Sequence, residues 1–190
     1  MAAKRLVKRL LKNDVAYTDI VLKPDELGAP HLYVNDVLQE IKISISHSGG
    51  LALAYASTIP GIAPGIDAEV IEARLPSFAE TYFSQKEREN AQAFIDLDTG
   101  LTAFWAIKEA VLKALGIGAR VDMRELSVSY QNEKFDVAFL GEAKKHAISL
   151  QVGELTVDVR FTSNLVVAMV MMPVAEHAMM QKLKTMELRP

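Results

Sequence analysis

The chain has 190 residues, half of them hydrophobic and 24% charged, an ordinary globular composition that allows one domain or two small lobes with a real core. With 21 Lys and Arg against 24 Asp and Glu, the formal charge of −3 excludes a surface that grips nucleic acid as a whole, so any basic site must be local. The absence of cysteine excludes disulfides, thiolate metal sites and cysteine nucleophiles, and it fits a reducing, cytoplasmic setting.

Residues 1–12 place Leu6, Val7, Leu10 and Leu11 on one stripe and Lys4, Arg5, Lys8, Arg9 and Lys12 on another, which predicts an amphipathic helix without an acid in it. Pro24, Gly28 and Pro30 mark turns. Strands are predicted at 41–47 and 51–56 around the turn Ser48-Gly49-Gly50, and at 64–69. Helical patterns follow near 76–83, 85–96 and 101–115, the last stopped by Gly116 and Gly118. Strands return at about 126–130, 134–140, 147–152, 155–162 and 165–172, and residues 174–188 predict a closing helix. The longest apolar stretch, 165–172, is far below the roughly 20 residues of a bilayer span, which predicts no membrane segment.

Residues 41–56 and 155–170 superpose at a constant offset of 114, with Ile43 on Val157, Ile45 on Val159 and Ala54 on Ala168. Two generic hairpins can resemble each other by chance. Their equivalent places in the two halves nevertheless predict an internally duplicated α+β fold, with two similar lobes, each a small antiparallel sheet packed with helices. The lobes are expected at 1–75 and 76–190, with the site between them.

In Gly65-Ile66-Asp67-Ala68-Glu69 the carboxylates sit at i and i+2, so an extended backbone turns both to one face. This is either a metal-holding pair or a strand with a solvated acidic edge. On the helix at 101–115, Phe104, Ile107, Val111, Ala114 and Leu115 form the core stripe. Trp105, Glu109 and Lys113 run along another face at i, i+4 and i+8, flanked by Lys108. An acid between two amines is either an ordinary surface pair or part of a hard oxygen-ligand set for Mg²⁺, with lysines placed for phosphates that the metal also holds. His31, His146 and His177 lack metal-ligand spacing, the methionines, Met169, Met171, Met172, Met179 and Met180 among them, read mainly as core filler, and Glu72, Glu80 and Glu89 read as solvated charges.

Four segments in order, Ser44-Ile-Ser46-His47-Ser48, Gly65-Ile-Asp67-Ala-Glu69, Phe83-Ser84-Gln-Lys-Glu87 and Trp105-Ala-Ile-Lys108-Glu109-Ala-Val-Leu-Lys113, resemble the motifs of the 4′-phosphopantetheinyl transferase superfamily. The Ser-His-Ser segment and the repeated hairpin are similar to its internally duplicated monomeric class, which activates surfactin synthetase among others, rather than to the short trimeric carrier-protein synthases. The resemblance implies transfer of 4′-phosphopantetheine from coenzyme A to a serine of an apo acyl or peptidyl carrier protein, as in fatty-acid or polyketide biosynthesis, with release of 3′,5′-ADP. It implies that Asp67, Glu69 and Glu109 hold Mg²⁺, or Mn²⁺ in its place. Lys108 and Lys113 would then contact phosphate oxygens, Ser46 and His47 the 3′-phosphate end of the coenzyme. Glu87 stands where the family's proposed base stands, although Glu69 and a metal-bound hydroxide remain open for that role.

Two departures matter. Where the class carries Gly-Lys-Pro, this chain has Gly28-Ala29-Pro30, and the segment before it is short for the class. Either the first lobe is pared down or the chain is a domain of a larger synthase, and in the second case a catalytically weak docking domain is the alternative reading. A basic-helix binder of membrane or nucleic acid rests on residues 1–12 alone, against which the expected partners are coenzyme A and the carrier protein, with neither nucleic acid nor membrane, for a chain active as a monomer. Arg9 and Lys12 are expected to supply the charge that Ala29 lacks, at the coenzyme or at an acidic carrier helix.

Overall fold

The basic start of the chain forms helix α1 (Ala2–Leu10), with Ala3 and Val7, one turn apart, buried and Arg5 and Arg9 left in water. Its apolar stripe covers an antiparallel sheet of four strands in sequential order, β1 (Ile20–Pro24), β2 (Pro30–Val34), β3 (Val37–Ser48) and β4 (Leu51–Ser57). Ile20, Leu32, Val34 and Ile43 complete that core. The sequence reading missed β1 and β2, because Pro24 and Pro30 end and begin them around a turn gathered by Asp25, whose Oδ1 accepts from the N–H groups of Leu27 and Ala29, both at 2.9 Å. The computed structural model describes residues 1–12 and 14–175. Apart from 174 and 175, the expected closing helix, with His177, Met179 and Met180, lies outside the described residues.

Strand β5 (Ile62–Val70) leads into α2 (Pro76–Tyr82), α3 (Gln85–Asn90) and the long α4 (Leu97–Leu115). A two-stranded hairpin, β6 (Leu126–Gln131) and β7 (Lys134–Phe139), precedes α5 (Gly141–Ser149), β8 (Thr156–Phe161) and β9 (Leu165–Pro173). Strands β5, β9 and β8 form a second antiparallel sheet in that order. The fold is thus α+β, with antiparallel sheets packed by helices. The strand that carries Asp67 and Glu69, counted with the first lobe in sequence, ladders with β9 near the end of the described chain.

The two hairpins seen as a repeat share one register: Ile45 faces Ala54 as Val159 faces Ala168, and His47 faces Ala52 as Phe161 faces Val166. Their surroundings differ, since the first hairpin gains β2 beside β3 and the second gains β5 beside β9.

Helix α4 starts four residues earlier than its apolar pattern suggests. The Asp96 carboxylate accepts from Thr99 N at 2.7 Å and caps it, and Gly116, left-handed at φ 64°, ends it. Phe104, Ile107, Val111 and Leu115 pack with Val166, Ala168, Val170 and Met172 of β9 into the main core. A Cβ on Gly65 of β5 would stand 1.9 Å from the Ala110 carbonyl oxygen, so only glycine lets helix and strand approach this closely. The expectation of a strand at 147–152 is corrected: residues up to Ser149 end α5. There Ala143 and Ala147 bury one helical stripe and the Glu125 carboxylate accepts from Ala143 N at 2.8 Å in the first turn. The alternation in Ile148, Leu150 and Val152 does not report a strand face, since Ile148 is exposed at the end of α5 while Leu150 and Val152 in the turn beyond it pack on the core.

The two sheets meet along β3 and β5 without a backbone ladder. Instead, Ile66 N donates to Ser44 Oγ at 3.0 Å and Ala68 N to Ser46 Oγ at 3.1 Å. This serine seam, buried on both sides, fixes the strand that carries the acidic pair.

Candidate active site

Period-two alternation on β5 turns Asp67 and Glu69 to the side where α4 presents Trp105, Glu109 and Lys113. Asp67 is only 4% exposed. Its Oδ1 accepts from Lys113 Nζ at 2.7 Å and from Ser46 Oγ at 2.8 Å, while its Oδ2 is buried with no hydrogen-bond partner. Lys113 also donates to Ile66 O at 3.1 Å, which fixes the amine at the strand. Glu69 lies at the open end of the strand, where its Oε1 accepts from the Trp105 indole at 3.1 Å and Arg74 Nη2 stands 3.5 Å from its Oε2.

Burial, and next the Asp67 charge, push the Glu69 carboxyl above its ordinary range, against the pull of Arg74 and Trp105. Burial and then Asp67 do the same to Glu109, with Glu69 adding to the rise and Lys113 opposing it. Three carboxylates therefore repel one another around one amine. Glu109 and Lys113 line a cavity of about 300 Å³, closed on its other side by Gly28, Ala29, Pro30, Ser44 and Gly118. A smaller space of about 100 Å³ adjoins it at Ala29 and Lys113 and is bordered by His31 and Lys42.

These groups fit a hard divalent cation: all the donors are oxygens, excess negative charge is concentrated, and the buried Asp67 Oδ2 has no partner of its own. Among the described residues, no group of three or more His, Asp or Glu side chains is placed to hold a metal ion by itself. A cation here would therefore need water and substrate phosphate to complete its shell, as Mg²⁺ commonly does.

The other residues singled out in the sequence lie differently. Ser46 is buried and its hydroxyl is committed to the seam, accepting from Ala68 N and donating to Asp67. His47, next to it, is exposed. Lys108 points inward rather than along the Glu109 face: it is 0% exposed, donates to Tyr82 O at 2.8 Å, lies 2.9 Å from Glu87 Oε1 and sits over the Phe83 ring. Burial holds its amine below the usual lysine range, against the pull of Glu87. Glu87 is 1% exposed and accepts from Ser84 N, Ser84 Oγ, Val128 N and Lys108, so its carboxylate faces the core and not the cavity. Arg9 and Lys12 are exposed at the end of α1, and neither borders the cavities that Lys113 lines.

Sequence reasoning missed Arg74 and Lys42. Lys42 was legible in principle, as a cation on the same phase of β3 as Ser44 and Ser46, four residues before Ser46. Arg74 carried no pattern, since its place depends on a loop folding back onto β5.

A family model described as the 4′-phosphopantetheinyl transferase superfamily matches residues 63–170, which include the acidic strand, α4 and β9. The L-aminoadipate-semialdehyde dehydrogenase-phosphopantetheinyl transferase of Mus musculus is 26% identical over 170 residues, covering 81% of this chain and 53% of its own. Its Homo sapiens counterpart is 27% identical over 153 residues, covering 72% and 48%. The chain thus spans about half the length of these relatives. Among solved structures, the holo-[acyl-carrier-protein] synthase of Neisseria meningitidis is similar in fold at a TM-score of 0.52 and 18% identity, covering 58% of this chain and 96% of its own. A synthase from Chronobacterium ammoniagenes, solved as a complex with coenzyme A, gives a TM-score of 0.52 at 24% identity, covering 60% and 98%. With more than half of its length matched by the family model, the chain belongs to the 4′-phosphopantetheinyl transferase superfamily.

Proposed function

We propose that this chain transfers the 4′-phosphopantetheine group of coenzyme A to a serine hydroxyl of an apo acyl or peptidyl carrier protein, in a Mg²⁺-dependent reaction that releases 3′,5′-ADP. Mn²⁺ is a competent substitute in this reading, and the setting is cytoplasmic, in fatty-acid or polyketide assembly. The observation that carries it is the buried Asp67 carboxylate, with one unpartnered oxygen and the other bonded to Lys113, which with Glu109 lines a cleft, all three inside the span matched by the family.

Asp67, Glu69 and Glu109 would hold the cation, which supplies charge stabilisation on the pyrophosphate oxygens when bound. Lys113, anchored by Ile66 O and Asp67, presents a cation at the cavity where those oxygens enter. Transfer of this kind needs positioning and electrostatic stabilisation more than covalent chemistry, and a strand and a helix locked at Gly65 provide both. The 3′-phosphate end is assigned to Lys42 and His31, which border the space next to Ala29, in preference to Arg9, Lys12 and the exposed His47, which border neither cavity. Ser46 serves by orienting Asp67. Glu87 and Lys108 serve from beneath the site by fixing α3 to α4, which leaves the serine proton to a group at the cleft, Glu69 or a water held there.

Asp67, Glu69, Glu109 and Lys113 all come from one chain, so the proposal includes one active centre per monomer. The test is the intact mass of an apo carrier protein incubated with coenzyme A, Mg²⁺ and this chain. A gain equal to phosphopantetheine, abolished by a chelator, is expected. No gain with any of several carrier proteins refutes the reading. Light scattering that shows an obligate trimer refutes the monomer.

A further inference from the structure

We infer that Arg74 is a positioning residue which, together with the Trp105 indole, grips the Glu69 carboxylate from two sides and presets it for the cation. The inference rests on the proposed cation-dependent reaction and names a residue outside the recognised motifs.

Glu69 has three rotatable bonds, stands at the end of its strand and is repelled by Asp67 and Glu109. Unassisted, it would swing towards water. Two groups oppose that. The Trp105 N–H reaches Oε1 at 3.1 Å, and the indole that aims it is wedged between Phe78 and Tyr82, with ring centroids 5.1 and 5.0 Å away. On the other side the Arg74 guanidinium lies 4.9 Å over the Phe78 ring, with Nη2 3.5 Å from Glu69 Oε2 and Nη1 3.2 Å from Glu72 Oε1. Its backbone N–H is tied to Asp98 Oδ1, at 3.1 Å, in the first turn of α4.

The guanidinium also holds two buried nitrogens, Nε and Nη2, without a full hydrogen bond. A side chain placed only for solubility would turn these donors to water. They are kept beside Glu69 by the ring and by the backbone tether, as expected of a planar group that orients a carboxylate. The aromatic trio and Arg74 therefore make α2 the brace of the acidic strand.

Charge neutralisation alone makes a different prediction, of opposite sign. If Arg74 only lowered the negative potential, its removal would strengthen cation binding. If it positions Glu69, its removal weakens cation binding, and lysine, which keeps the charge without the planar fork, restores it only in part. The test is Mn²⁺ titration of the full chain by calorimetry, without coenzyme A, for the parent protein, R74M, R74K and W105F, with thermal melts as fold controls. We expect about a tenfold loss of Mn²⁺ affinity in R74M and in W105F, the scale found when partners of metal-binding carboxylates are removed, and an intermediate loss in R74K. In the transfer assay kcat should fall while KM for coenzyme A stays unchanged. Equal or tighter Mn²⁺ binding by R74M overturns the inference. If R74M does not fold, W105F decides, since it removes one N–H and keeps a ring: unchanged affinity there overturns it too. A parent protein that binds Mn²⁺ yet modifies no carrier protein sinks the proposed reaction and leaves the clamp standing, whereas one that binds no Mn²⁺ sinks the clamp.

Discussion

Replacing Lys108 by methionine separates a structural from a chemical role for the Phe83–Glu87 motif. The substitution leaves the Glu87 carboxylate 1% exposed and without the Lys108 amine, with Val128 N, Ser84 N and Ser84 Oγ as remaining donors among the described residues. Removing one partner of a buried pair costs about 3–5 kcal/mol, because the other charge stays behind in a medium that solvates it poorly. At about 2–4 °C per kcal/mol for a chain of this size, the melting temperature should fall by roughly 6–20 °C. Glu87→Gln in the same background removes the stranded charge, so the double variant should melt above Lys108→Met alone. The pair lies beneath the cleft, so Glu87→Gln assayed well below its melting point should keep most of its transfer activity. Loss of a general base lowers rates by roughly 10²–10⁴-fold instead. A Glu87→Gln protein with unaltered melting and a rate down by that factor would falsify the structural assignment. An unaltered melting temperature in Lys108→Met would contradict the burial argument itself.

Glu109→Gln, nearly isosteric, should retain the fold and lose most Mg²⁺-dependent transfer, and near-normal turnover at saturating Mg²⁺ would rule out the three-carboxylate site. Glu69 and Glu109 hold their protons more tightly folded than unfolded, so stability is lost as pH rises from the ordinary carboxyl range through their raised folded values, and the full cost is present above them. Added Mg²⁺ with coenzyme A should therefore raise the melting temperature more at pH 8 than at pH 5, and an equal rise at both counts against carboxylate coupling. Gly65→Ala drives a methyl group into the Ala110 carbonyl, so α4 must withdraw and Lys113 must part from Asp67. The melting temperature and the transfer rate should fall together, by about 1–3 kcal/mol or more in stability, and normal behaviour would show that the approach of helix to strand is looser than described. Lys42→Ala should raise KM for coenzyme A several-fold, most at low salt where screening is weak, whereas charge reversal of Arg9 and Lys12 should leave it unchanged. The opposite result would return the phosphate to α1.

Much of this architecture was legible in the sequence where a local rule governs it. The alternation in 41–47 and the helical stripe from Phe104 to Leu115 gave β3 and α4, because each buries one face and the period of its apolar residues reports which. Strands β1 and β2 escaped because they are short, proline-bounded and stabilised by pairing with β3, a nonlocal partner. In the site, Asp67 and Glu69 were found from their i, i+2 spacing and Glu109 and Lys113 from helical geometry, and the fold brings Asp67 to Lys113 as that geometry requires. Helical spacing sets Lys108 beside the Glu109 face, but a residue one position along turns its side chain away from that face. The amine is buried because Glu87, from another helix, meets it there. Arg74 and the serine seam depend on tertiary contacts that no periodicity encodes.

The seam has a consequence for solubility. Strand β5 is the outermost strand of its sheet, and its side away from β9 would present a row of free amides to any extended chain that passed. Strand β3 lies along that edge and the hydroxyls of its Ser44 and Ser46 occupy two of those amides, so the edge is closed to templated pairing. Serine to alanine at both positions would leave the amides of Ile66 and Ala68 buried without these acceptors beneath β3, so the cost would fall on the joint between the two sheets.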